Sequence, residues 1–325
     1  MARSIARVFV LALVLASLAC GHKSSATGKP KVAVSIFPIY DLTRRIAGDR
    51  LDVRLVLPAG KSEHGYDPTP REIADLDGAK LGIAVGLQMD RWVEAIMKSA
   101  GNPPIFHLGE KVQTIPIDVE PIGEEEHAGE HAAGEHHADD KQPEQHGDEH
   151  QHEHGLGMPD PHFWMDPTRM VVAVDAIADE LSRIDPAGKD TYRKNADTVK
   201  LALRELDTKL AERTKTWSKR TIVTFHGSMS YFAKRYGLRI AAVVEPLAGT
   251  EPTAAYITQV LAAIKRGNAA GLFTEPQLAR GPGEVIAKEA GIPLGELDPV
   301  GGVDGRDSYE ALLTWNADQL ERVLK

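Results

Sequence analysis

Short apolar runs alternate with stretches of helical period along almost the whole chain. Residues 31–37 read as a buried strand stopped by Pro38, and 39–48 as a helix stopped at Gly48. Residues 51–57 alternate apolar and polar positions as far as Pro58. Helix 70–77, strand 81–86, helix 88–100 and strand 105–108 continue the series. After a polar interruption a helix is predicted over 168–184, with Val171, Val174, Ile177 and Leu181 facing inward. A longer one, 186–217, carries Tyr192, Ala196, Val199, Leu203, Leu206 and Leu210 at three- and four-residue steps. At ~1.5 Å per residue it would span ~45 Å, more than one small domain requires. The second half repeats the alternation, with strands 221–225, 240–244, 271–274 and 294–297 and helices 228–236, 252–266, 281–290 and 307–324. Strands separated by helices imply parallel pairing. The predicted fold is therefore α/β: two (β/α) domains with mainly parallel sheets, 31–185 and 218–325, joined by one long rigid helix over 186–217.

The N-terminal segment departs from this pattern. Two arginines, a short apolar run and small residues make residues 1–20 a secretory signal rather than an anchor helix. Its end, Leu15-Ala16-Ser17-Leu18-Ala19-Cys20-Gly21, is similar to a lipobox, which would make Cys20 the lipidated first residue. Ordinary cleavage after Ala19 is the alternative. Residues 21–30 read as a flexible tether. Cys20 is the single cysteine, so the body holds no disulfide framework, thiolate cluster or cysteine nucleophile.

The net charge of −9 is concentrated in one place. Residues 124–154 contain eleven acids against one lysine, so the rest of the chain is close to neutral, with no basic patch for nucleic acid. The same tract holds His127, His131, His136, His137, His146, His150, His152 and His154, and almost no large apolar residue. It cannot bury enough surface to fold alone and is expected to be a disordered loop that ligates divalent ions weakly.

Three other histidines stand in restricted settings. His162 lies in Asp160-Pro161-His162-Phe163-Trp164-Met165-Asp166-Pro167, between prolines that stiffen the backbone. His64 follows a strand through a turn-rich loop, and His226 ends one directly, as do Glu275 and Asp298. In open parallel sheets that edge is where ligands bind. Two such edges facing each other across an interdomain cleft would bring the imidazoles together. Three imidazoles and one carboxylate suit Zn²⁺ better than Mg²⁺ or Ca²⁺, which take oxygen cages.

The pieces Ser62-Glu63-His64-Gly65-Tyr66-Asp67-Pro68, Asp160 to Pro167, Thr224-Phe225-His226-Gly227-Ser228, Phe273-Thr274-Glu275-Pro276 and Leu297-Asp298-Pro299 follow one another in order. With the acidic His-rich insertion, they resemble the metal-binding lipoproteins that feed ABC importers, in particular their zinc-specific branch. The resemblance covers about residues 31–325. It implies that His64, His162 and His226 bind one tight Zn²⁺ as transported ligand, with limited motion on binding. The fourth position stays open among Asp298, which is preferred, Glu63 and water, and Glu275 is a structural carboxylate beneath the site. It further implies a monomer held to the membrane by lipid, in the periplasm or at the cell surface, delivering metal to an ABC permease. The chain lacks the C-terminal disulfide pair of some relatives. Other readings are a manganese-binding homologue, a metal-buffering surface adhesin, or a zinc hydrolase. An enzyme is not expected, since the sequence has no HExxH helix.

Overall fold

The computed structural model describes residues 28–117, 157–246 and 250–325. The signal-like segment with Cys20, most of the tether 21–30 and the His-rich tract 124–154 lie outside the described residues.

Two four-stranded parallel sheets form the framework. In the first half β1 (Lys31–Val34), β2 (Asp52–Leu55), β3 (Leu81–Ala84) and β4 (Ile105–His107) stand in the order β2-β1-β3-β4. In the second, β5 (Thr221–Thr224), β6 (Arg239–Val243), β7 (Leu272–Thr274) and β8 (Leu294–Glu296) repeat that winding as β6-β5-β7-β8. Each sheet therefore reverses its winding direction beside its first strand, which opens a crevice at the strand C-termini. The helices between strands are α1 (Phe37–Ala47), α2 (Pro70–Asp75), α3 (Trp92–Ser99), α4 (Pro167–Ile184), α5 (Lys189–Lys215), α6 (Ser230–Tyr236), α7 (Ala254–Gly267) and α8 (Gly281–Ala290), and α9 (Tyr309–Leu324) follows the last strand.

The strands are shorter than the apolar runs that announced them. The first run ends as β1 at Val34, and Pro38 stands in the first turn of α1 rather than stopping a strand. A proline is tolerated there because the first-turn N–H groups have no helical partner to lose. Beyond Val34 the backbone still bonds across the sheet, with Ser35 N–H donating to the Ile83 carbonyl at 2.9 Å.

The spine helix α5 has 27 residues and follows a single tight turn at Pro186–Gly188, so it is about 40 Å long. All six of its apolar positions read from the sequence are buried. In α4, Val174, Ile177 and Leu181 are buried, whereas Val171 is only partly covered. The spine packs on α4 and α1 in the first half and on α6 and α9 in the second. One apolar core runs from Val32 and Ile83 through Trp164, Tyr192 and Tyr231 to Tyr309 and Leu324. The two halves share that core, which opposes a wide hinge motion.

The segment 160–166 crosses this shared core, with Phe163, Trp164 and Met165 buried in a single tight turn. It is held largely by the second half. Trp164 Nε1–H donates to the Pro299 carbonyl at 2.8 Å, and the Tyr309 hydroxyl donates to the Trp164 carbonyl at 2.6 Å. The Tyr231 hydroxyl donates to the Asp160 carbonyl at 2.7 Å and accepts from Ile115 N–H at 3.1 Å. Tyr309 N–H in turn donates to the buried Asp41 carboxylate of α1 at 3.1 Å. Replacing Tyr309 with Phe leaves the Trp164 carbonyl buried without that partner. The substitution is expected to lower unfolding free energy by about 1–3 kcal/mol, measured by denaturant titration. An unchanged midpoint would show that the bond contributes nothing.

Candidate metal centre

His64, His162 and His226 converge, with one ring nitrogen of each within 4.8 Å of the others. His226 directly follows β5, His64 lies in the loop after β2, and His162 opens the buried turn before α4. The ring centroids stand 4.5 Å apart for His64 and His226, 5.2 Å for His162 and His226, and 5.4 Å for His64 and His162. His162 and His226 are each only 4% exposed, and His64 forms the partly exposed edge. The His64 and His162 Nε2 atoms are 3.3 Å apart. Two nitrogens bound tetrahedrally at ~2.0–2.1 Å to one ion stand about 3.3 Å apart.

The rings are also oriented for this task. A carboxylate only accepts, so His162 Nδ1–H donates to Asp160 Oδ1 at 2.8 Å and Nε2 keeps its lone pair. The same oxygen accepts the His162 backbone N–H at 2.9 Å. By the same logic His226 Nδ1–H donates to the Glu245 carbonyl at 3.3 Å. A carboxylate or carbonyl behind each imidazole fixes its tautomer and raises its basicity toward a metal.

Buried carboxyls lie under the triad. Glu63 Oε1 is 4.0 Å from His64 Nε2 and has no hydrogen-bond partner among the described residues. Trp92 Nε1–H donates to the Glu63 carbonyl at 2.9 Å and fixes the loop that presents it. Burial pushes the Glu63 carboxyl up, opposed by the neighbouring His162 charge. Burial and then the Glu63 charge push Glu275 well above the usual carboxyl range. Glu275 also accepts from the Ser228 hydroxyl at 2.5 Å, in keeping with a structural role. Two buried carboxyls that repel each other hold one charge more readily than two, and a divalent ion among the histidines favours ionised Glu63.

Asp298, the expected oxygen donor, is not brought into the cluster. Its Oδ1 accepts from Gln277 Nε2 at 2.8 Å, Val300 N–H at 2.9 Å and Gly301 N–H at 3.0 Å. Its Oδ2 is paired with the Arg306 guanidinium at 3.0 Å. Both oxygens therefore have partners, whereas Glu63 Oε1 stands 4.0 Å from His64 Nε2. The sequence reading missed Asp160, Tyr231, Trp92 and Arg306. Asp160 had a signal, since an Asp two residues before a ligand can bond that residue's backbone. Trp92 and Arg306 reach the site through tertiary packing and carry no local signal.

A triad of imidazoles set between two parallel sheets with a common spine helix defines a two-lobed metal-binding protein. This chain belongs to the ZnuA family, zinc-uptake complex component A, periplasmic, whose family model matches residues 32–323. It is 29% identical over 308 residues to the zinc-binding lipoprotein AdcA of Streptococcus pneumoniae (strain ATCC BAA-255 / R6), covering 92% of this chain and 56% of that protein. The chain thus spans about half the length of that relative. It is 28% identical over 333 residues to the metal ABC transporter substrate-binding lipoprotein FimA of Streptococcus parasanguinis, covering 98% of this chain and 96% of FimA. The crystal structure of ZnuA superposes with a TM-score of 0.73 at 24% identity, over 92% of this chain and 100% of that one. FpvC of Pseudomonas aeruginosa in complex with Mn²⁺ gives 0.73 at 22% identity, over 91% and 99%. These structures share the two-lobed fold.

Asp160 supplies a direct test of ring orientation. Asp160→Asn keeps the Oδ1 acceptor for the backbone but removes the charge behind His162. Zinc affinity is expected to fall about 10–100-fold in chelator competition, with the metal-free protein still folded. Affinity within twofold of the native value would show that the carboxylate does not prepare the ring.

Proposed function

We propose that this chain captures extracytoplasmic Zn²⁺ and hands it to an ABC-type permease. The observation that carries the reading is the imidazole triad, whose 3.3 Å Nε2 separation fits one tetrahedral ion. Family membership and the zinc-binding name of AdcA support the same cargo. Glu63, rather than Asp298, supplies the fourth ligand in this proposal, because its Oε1 is buried beside His64 with no hydrogen-bond partner among the described residues. A nitrogen-rich set of this kind favours zinc over manganese, which prefers more oxygen donors. With two of the three rings almost fully buried, the site suits a bare ion rather than an organic substrate. The protein acts as a carrier, not an enzyme, in this reading. It works as a monomer, tethered through lipidated Cys20 at the periplasmic membrane face or the cell surface.

His64→Ala, His162→Ala and His226→Ala are each expected to weaken zinc binding by about a hundredfold or more, since each removes a primary ligand. Glu63→Gln is expected to weaken it less. Isothermal titration and chelator competition check both, and a histidine variant with native affinity would remove that residue from the site. Zinc and protons compete for the same nitrogens, so affinity should also fall as pH drops from about 7.5 to about 5. A flat profile would argue for a carboxylate-dominated site.

The tract 124–154 is assigned an auxiliary role. Its eight imidazoles and eleven carboxylates attract divalent ions, and its attachment just before Asp160 keeps them near the cleft. Ordering a polar tract around each ion costs chain entropy, so those sites are weaker than the preorganised triad. Deleting 124–154 should leave one tight zinc equivalent and remove weaker ones in calorimetry. Equal stoichiometry would reduce the tract to a linker, and loss of the tight equivalent would move the primary site into it.

A further inference from the structure

The acids near the triad differ in one respect that bears on ion selectivity. Glu63 and Glu275 are buried without a paired guanidinium or ammonium among the described residues, whereas Asp298 has one dedicated to it. The Arg306 guanidinium lies 3.0 Å from Asp298 Oδ2 and stacks on the Trp315 ring, with Cζ 4.3 Å from its centroid. The backbone closes around this pair. Gly302 N–H donates to the Arg306 carbonyl at 2.9 Å, and Gly301 and Gly302 adopt φ of 71° and 81°, which lets the loop double back. Pro299, the residue after Asp298, accepts the indole N–H of Trp164, whose ring lies 5.2 Å from that of His162.

We infer that Arg306 is a specificity-determining residue, which keeps Asp298 out of the metal's coordination shell and so holds the site at three nitrogens and one oxygen. The inference rests on the zinc reading above and extends it to what excludes manganese. Asp298 has its Oδ1 occupied by three hydrogen bonds and its Oδ2 held toward a guanidinium, whose charge competes with a metal ion for the same carboxylate. Without the guanidinium, Oδ2 loses its counter-charge in a buried setting, and the nearest compensating charge is the ion itself. A second carboxylate then enters the shell. That raises the oxygen count and the coordination number, changes that favour Mn²⁺ relative to Zn²⁺.

The test compares Zn²⁺ and Mn²⁺ affinities by competition for the native protein, Arg306→Gln, Arg306→Lys and Arg306→Gln/Asp298→Asn. In Arg306→Gln the Zn²⁺-to-Mn²⁺ affinity ratio is expected to fall by about tenfold or more as an oxygen donor is gained. Arg306→Lys retains a cation and should keep the native ratio, and the double variant, which removes the recruited carboxylate, should return to it. Arg306→Met preserves the stem against Trp315 and gives the same answer if the Gln variant does not fold. An unmoved ratio in a folded charge-removing variant overturns the inference, as does an equal fall in the double variant. Those outcomes leave the zinc reading standing when His64→Ala has lost tight binding in the same assay. If His64→Ala binds zinc as the native protein does, that reading itself fails.

Discussion

The metal centre depends on a bond pattern that runs against chain order. His162 belongs to the first half of the sequence, yet the turn that carries it is fastened mainly by the second. The Trp164 indole reaches Pro299, the Tyr309 hydroxyl reaches the Trp164 carbonyl, and the Tyr231 hydroxyl reaches the Asp160 carbonyl. Each partner is buried, so breaking any one of these bonds strands a polar group away from water. The two halves thus cannot separate without dismantling the setting of His162. His162 and His226, from different halves, are held at a nearly fixed distance because the apolar core beneath them is continuous.

That rigidity gives ion recognition a simple basis. A tetrahedral ion requires its nitrogens at a set spacing, and the cluster already offers it between His64 and His162. Little reorganisation is needed at binding, so the interaction energy is not spent on ordering side chains. The groups behind the imidazoles extend the same preorganisation. Asp160 and the Glu245 carbonyl hold Nδ1–H of their histidines, so the lone pairs face inward before any ion arrives. The buried carboxyls below supply negative charge that is costly in the metal-free protein and favourable with a dication in place.

Much of this was legible in the sequence because it follows from local periodicity. The apolar runs placed all eight strands, and the three- and four-residue steps from Tyr192 to Leu210 placed the spine helix. The histidines stood out because His162 sits between prolines and His226 ends a strand. Boundaries were less legible: Pro38 stops a strand or starts a helix, and only the packing of Phe37 and Ile39 in the core decides between them. Asp298 shows the deeper difficulty. Its position after β8 suits a ligand, but its role is decided by Arg306, Gln277 and two backbone N–H groups. An ion pair across a closed loop has no period, so pattern reading cannot detect it.

The three histidines are not held alike, and the difference gives the candidate site a direction. His162 and His226 are pinned within the core, while His64 is the partly exposed member. Its loop is held by the Trp92 bond to the Glu63 carbonyl and by the Ser62 hydroxyl, which accepts His64 N–H at 3.3 Å. Greater exposure goes with a lower local opening free energy, so the His64 edge opens more readily than the buried 160–166 turn. The proposed carrier must release what it binds, and a shared core makes release by wide domain opening expensive. Withdrawing one imidazole leaves an ion on two nitrogens, open to exchange with an incoming ligand. For the proposed carrier, tight capture and delivery are thus compatible in a rigid body, because one histidine of the triad stands at the more exposed edge.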